Sequence, residues 1–241
     1  MITGTAPAPW PRRARPPWAT AARRALGALV LLLWAAGAPA PDAVAATPGE
    51  AGLRRAEAAS AAQAGRFIDA LGHQVLGLLA AYRENRAPKY RAELKRIVRD
   101  NFDLEWGTRF VVGRHWRDAT PRQQSELLTL LPEYATEIAA RAFFTLKASD
   151  VDSFRVLGSQ PLNGGDGLVM SEVKVAGTPF AIGWRVRDEG RRLRIVDATI
   201  QGVSVALTLR QTLDSVIARE GLDGLIADVR GKLAELRGQA G

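Results

Sequence analysis

The sequence predicts an α+β fold in which an antiparallel sheet of four or slightly more strands, twisted as sheets are, is covered by helices. Three observations carry this expectation. Apolar residues recur at helical spacing from Phe67 to Phe143, the spacing drops to every second residue near position 150, and helical spacing returns after Ile200. Periods of 3.6 and 2 separate helix from strand. Strands gathered into one run with short connections imply an antiparallel sheet with segregated helices, and not alternating βα units.

The first 45 residues are set apart. Arg12, Arg13, Arg15, Arg23 and Arg24 precede an apolar run from Ala25 to Ala36, and two small-residue patterns follow, Ala38-Pro39-Ala40 and Ala43-Val44-Ala45. Basic flank, short apolar core and small-residue exit are the parts of a bacterial secretory signal. A retained membrane anchor is the alternative, but the core is shorter than the roughly 20 apolar residues that a bilayer requires. Cleavage is expected after Ala45, otherwise after Ala40, which leaves residues 46–241 as a single domain with a flexible start over 46–60. The paired arginines are also compatible with twin-arginine export, although no polar residue precedes them. The expected destination is the periplasm.

A stripe of Phe67, Leu71, Val75, Leu78, Leu79 and Tyr82 marks the first long helix. Pro88 opens the next, with Leu94, Ile97 and Val98 on its apolar side. A short third helix begins around Phe102–Trp106 and is expected to stop at Gly113, where glycine readily takes a left-handed cap conformation. Thr120-Pro121-Arg122-Gln123 is the sharpest local signal. Thr120 can cap the free amides, Pro121 suits the first helical position, and Gln123 can reach back. Leu127, Leu130, Leu131, Tyr134, Ile138 and Phe143 continue that helix, and Pro132 is expected to kink or split it near Leu131.

Four strands follow, over Phe154–Leu157, Leu168–Val175, Phe180–Val186 and Leu193–Ile200, with glycine-containing turns between them. In the third, Phe180, Ile182, Trp184 and Val186 share one face, opposite Ala181, Gly183, Arg185 and Arg187. One face is therefore apolar and needs a cover. After Ile200, Gly202-Val203-Ser204 is read as a turn into a helix carrying Leu207, Leu213, Val216 and Ile217. Gly221 should end that helix, and Asp223 is placed to cap a last one through Leu236.

Composition removes several function classes. Half of the net charge of +8 belongs to the leader, which holds five arginines against Asp42. The remainder has no basic stripe interleaved with aromatics, so nucleic acid is not an expected partner. With no cysteine, a disulfide framework and a lipid-modified N-terminus are both ruled out. Catalysis has few candidates. His73 lies on a helix among apolar neighbours, and His115 follows a helix end with no acid or nucleophile at a recognisable spacing. Gly202-Val203-Ser204-Val205-Ala206 lacks the second glycine of a nucleophile elbow, and no H-E-x-x-H spacing occurs. Asp197, at a strand end, is either a general base or a structural hydrogen-bonding group. No catalytic residue, metal or cofactor is expected.

Three blocks, in order, resemble the MlaC (toluene-tolerance, Ttg2-type) family of periplasmic lipid-binding proteins. They are Phe110-Val111-Val112-Gly113-Arg114-His115-Trp116-Arg117-Asp118-Ala119-Thr120-Pro121, then Val196-Asp197-Ala198-Thr199-Ile200-Gln201-Gly202-Val203-Ser204, then Leu222-Asp223-Gly224-Leu225-Ile226. The resemblance covers roughly residues 60 to 236. The resemblance implies an apolar lipid cavity between sheet and helices, and phospholipid as ligand. It implies a shuttle between an outer-membrane lipoprotein–porin complex and an inner-membrane ABC transporter with an MCE-type subunit, which maintains outer-membrane lipid asymmetry. A similar branch, HpnM, is associated with hopanoids. Pro132, Gln201 in place of an acid before Gly202, and a short hairpin at Gly177 depart from the family pattern.

An acyl chain of sixteen carbons exposes methylenes costing about 0.8 kcal/mol each, on the order of 12 kcal/mol in all, so a carrier must cover most of each tail. Phe110, Val111, Phe143, Phe144, Val169, Ile182, Trp184, Ile195, Val203 and Val205 are the candidate cavity lining. Periodicity alone is equally satisfied if they pack as a solid core; only the resemblance points to a cavity. Arg114, Arg117 and Arg185 are candidates for a lipid headgroup or a docking surface, with a solvated face as the alternative. A periplasmic adaptor that binds no lipid would fit the composition equally well.

Overall fold

The computed structural model describes residues 48–145, 151–162, 164–190 and 192–238. The leader, its apolar core and both cleavage positions lie outside the described residues.

Among the described residues, five α-helices and five strands follow the expected order. Helix α1 runs over Pro48–Asn85, so the start expected to be flexible is helical from Pro48 onward. Helices α2 (Lys89–Asn101) and α3 (Leu104–Val112) come next. Asp103 caps α3 by accepting a hydrogen bond from the Trp106 amide at 3.0 Å. Gly113 ends it at φ 62° and leads into a 3₁₀ turn over Gly113–Trp116. Helix α4 (Pro121–Thr145) opens with the reciprocal box that its sequence predicts. The Gln123 amide donates to Thr120 Oγ1 at 3.3 Å, and the Thr120 amide to Gln123 Oε1 at 3.0 Å. Pro132 does not split this helix, which continues through it. The Leu128 carbonyl loses its amide partner, but the flanking turns are held by Leu127 and Leu131 in the core.

Strands β1 (Val151–Pro161), β2 (Gly167–Val175), β3 (Thr178–Asp188), β4 (Leu193–Ile200) and β5 (Val203–Ser204) form one antiparallel meander in chain order. The expected turn at Gly202-Val203-Ser204 is corrected by one step. Ile200 pairs with Val203 and Thr199 with Ser204, so the turn is Gln201-Gly202 and the next two residues extend the sheet. Gln201 (φ 51°) and Gly202 (φ 81°) both occupy the left-handed region that a tight two-residue hairpin demands. Helix α5 (Val205–Gly238) breaks at Gly221, where φ is 69° and ψ is −178°. Asp223 does not cap its second half as expected; its carboxylate accepts from the Gln123 side chain at 2.9 Å and ties α5 to the start of α4.

Two cores result. One is helical, with Val111, Val112, Leu127, Leu131, Leu213, Ile217, Leu225 and Val229 packed among α3, α4 and α5. The other lies where α1 crosses the sheet and joins Ala64 and Ile68 to Val169, Val186 and Ile195. Gly72 sets that approach. A methyl group there would fall inside the Phe154 ring, so α1 could not settle as close to β1. The free edge of β4 is closed by the α2–α3 junction, where the Asp103 amide donates to the Ile195 carbonyl at 2.9 Å.

Candidate functional site

The apolar sheet face is continuous through all five strands. Directly paired residues share a face, and the pairs are Phe154 with Val173, Val173 with Phe180, Ser171 with Ile182, Ile182 with Ile200, and Ile200 with Val203. Charged strand residues occupy the opposite face, where Arg155 pairs with Glu172 at 3.0 Å and Arg185 with Asp166 at 2.6 Å. The single polar side chain among those five pairs, Ser171, is buried and satisfied. It accepts from Trp184 Nε1 at 2.8 Å and donates to the Ile182 carbonyl at 3.3 Å, which holds the polar edge of the indole.

Coverage of this face is uneven. Under α1, Val169, Val186 and Ile195 are no more than 1% exposed, whereas at the other end Phe180 is 36%, Ile200 48% and Val203 56% exposed. At the start of α5, Val205 and Leu207 are also exposed, each 48%. The helical cover expected over the whole face therefore reaches only part of it. The open end is a surface that water wets at a cost and that an alkyl chain would occupy favourably.

The structure sorts the candidate lining into three groups. Val203 and Val205 lie on the open strip, with Ile182 beside them, half-buried. Val169 and Ile195 are in the sheet core with Trp184 against them, and Val111 is in the helical core with Phe110 against it. Phe143 and Phe144 join an aromatic cluster at the ends of α1 and α4, where Phe144 meets Tyr82 at 4.3 Å between ring centres. Phe180 and Ile200 lie on the open strip, although the candidate lining does not include them. Alternation along β3 puts Phe180 beside Ile182 and was a usable signal; placing Ile200 there required the register of β4.

The candidate polar residues are spread out. Arg185 points away from the apolar face and is held by Asp166, which is buried. Arg117 is exposed beyond the 3₁₀ turn. Arg114 contacts Asp214 at 3.1 Å, and His115 Nε2 contacts the same carboxylate at 2.8 Å. An acid therefore does accompany His115, supplied by α5 from 99 residues away, a separation that no local spacing reveals. The hydrogen bond from His115, with the nearby Arg114, holds the Asp214 carboxyl below its usual range. Asp197 is held by three hydrogen bonds. It accepts from Ser204 Oγ at 2.6 Å, from the Ala206 amide at 3.1 Å and from the Ala198 amide at 2.8 Å. Ser204 in turn caps α5 through the Leu207 amide at 3.0 Å. These bonds build the strand-to-helix corner and give Asp197 a structural role. His73 is exposed, bonded to the Asp69 carbonyl at 2.9 Å.

Among the described residues there is no group of three or more His, Cys, Asp or Glu that could hold a metal ion. No described helix is long and apolar enough to cross a membrane.

Comparison with known proteins adds to this geometry. The family model described as MlaC protein matches residues 70–231. The fold is similar to that of a phospholipid-binding protein from Ralstonia solanacearum, solved in complex with a phospholipid. The TM-score is 0.56 at 22% identity, over 72% of this chain and 98% of the other. No curated protein matches.

Proposed function

Because this chain belongs to the MlaC family, we propose that it is a periplasmic phospholipid-binding carrier, not an enzyme. The observation that carries the proposal is the uncovered apolar end of the sheet, Phe180, Ile182, Ile200 and Val203, continuous with a face that is otherwise core. The likeness to a fold solved with phospholipid bound supports it. Tails would lie along the open strip, with the headgroup outside it. Covering most of one tail offsets on the order of 12 kcal/mol of hydration cost. A carrier of this kind would exchange lipid between an outer-membrane lipoprotein–porin complex and an inner-membrane MCE-type ABC transporter, and so maintain outer-membrane asymmetry.

Mass spectrometry of organic extracts from the protein, purified from its native periplasm without detergent, tests the proposal. Stoichiometric phospholipid is the expected result. A hopanoid would replace the ligand and keep the carrier, and a folded protein free of lipid would overturn both in favour of an adaptor that binds only proteins.

A further inference from the structure

A pocket of ≈ 190 Å³ opens where the first turns of α5 meet the glycine that ends α3. Leu207 is one wall, and Arg114, Arg210 and Asp214 supply its charges. Arg210 is the unusual member. Its guanidinium lies over the Phe110 ring at 5.2 Å from the centroid, and against Gly113. A Cβ at Gly113 would stand 3.0 Å from its Nε, 3.1 Å from its Nη2 and 3.2 Å from its Cζ. Gly113 therefore does two things: it takes the positive φ that ends α3, and it makes room for an arginine to lie flat.

Among the described residues Arg210 has no hydrogen bond and no ion pair, although it is half-buried. The acid nearby is already taken, since Arg114 and His115 both hold Asp214. One positive charge with a planar set of donors is thus left uncommitted in a concave site, held in place by a ring on one side and a glycine on the other. A guanidinium so fixed loses little freedom on binding an oxyanion. We propose that this pocket binds a phosphate group, with Arg210 as its principal donor and Arg114 at its rim. Phosphate suits the site better than a carboxylate. A tetrahedral anion spreads its oxygens over more directions than a planar carboxylate, which suits two guanidinium groups that come from different elements. The apolar wall at Leu207 suits a phosphate carrying an alkyl ester.

The phosphate would come from a lipid headgroup or from free phosphate; the first source rests on the lipid-binding function proposed above, the second does not. Lipid-stripped protein is titrated calorimetrically with inorganic phosphate at low ionic strength. In parallel, retention of phosphatidylglycerol is compared with that of diacylglycerol bearing the same chains. Both are run on wild type, Arg210→Gln and Gln211→Glu; the second variant adds a like charge to an exposed helical position in the pocket wall, where folding is not at stake. A preference for phosphatidylglycerol that falls about tenfold in either variant, the worth of one charge-assisted hydrogen bond, supports a headgroup site. Phosphate affinity lost in the variants with lipid preference unchanged supports a free-phosphate site. Variants indistinguishable from wild type in both assays overturn the pocket. A protein that retains neither lipid, yet loses phosphate affinity with Arg210→Gln, would sink the carrier function and leave the pocket standing.

Discussion

The two ends of the apolar sheet face have the same chemistry and opposite fates. Val169, Val186 and Ile195 are sealed beneath Ala64 and Ile68, while Phe180, Ile200 and Val203, on the same face, are left in reach of solvent. Neither end is distinguished by its side chains, since both alternate apolar and polar residues with period 2. The difference is set by where α1 crosses, and that depends on close approach at Gly72 and at Gly167, where an added Cβ would stand 3.1 Å from the Ala64 methyl. Apolar surface becomes core where a helix can come close and a binding surface where none does.

This contrast can be broken in four ways, in order of expected effect. Ile195→Ala, at the sealed end, should cost about 3–4 kcal/mol in thermal or denaturant unfolding, because a fully buried side chain leaves a cavity behind. Lipid retention should be unchanged; a loss of lipid without loss of stability would mean that the sealed end is part of the site. Glu137→Gln tests the helical layer. Glu137 is buried between Arg91, at 2.9 Å, and Lys95. Burial pushes its carboxyl up, but the hydrogen bonds from Lys95 and Arg91 outweigh that and hold it below the ordinary carboxylate value. Breaking the pair should cost about 2–3 kcal/mol, less than a fully buried pair because both cations are partly exposed.

The pH dependence of that variant follows from the depressed value. Stability from the ionised pair is fully present above about pH 4.5 and is lost as pH falls through the lower folded-state value. The gap in melting temperature between wild type and Glu137→Gln should therefore close in acid, and a gap that persists at low pH would count against the pair.

Val203→Asp, at the open end, should leave folding within about 0.5 kcal/mol, as surface substitutions do. It should still lower lipid occupancy roughly thirtyfold, since a tail laid on a carboxylate forces about 2 kcal/mol of desolvation. Extracted lipid at wild-type levels would show that tails do not lie there. The smallest change is Gln201→Gly in the hairpin that carries Val203. Relief of the left-handed strain at φ 51° should stabilise the protein by about 0.5 kcal/mol, net of the extra freedom glycine has when unfolded, with lipid retention untouched.

Much of this architecture was legible in the sequence because it is local. The change of period near residue 150, the Thr120–Gln123 box and the stop at Gly113 each depend on residues within a turn or two of one another. The strand faces could be read for the same reason, since alternation along β3 needs no partner. What failed was non-local. Asp223 serves Gln123, 100 residues away, instead of its own helix. His115 found its acid on α5, and Arg210 found its place against Gly113 and Phe110 only once α3 and α5 had packed. The sequence by itself determined which residues are helical, which are extended and which sheet face is apolar, because those follow from backbone preference and periodicity. Only the tertiary structure decided which part of that face is closed, which is open and which charges remain unpaired, because each depends on contacts between residues that are far apart along the chain.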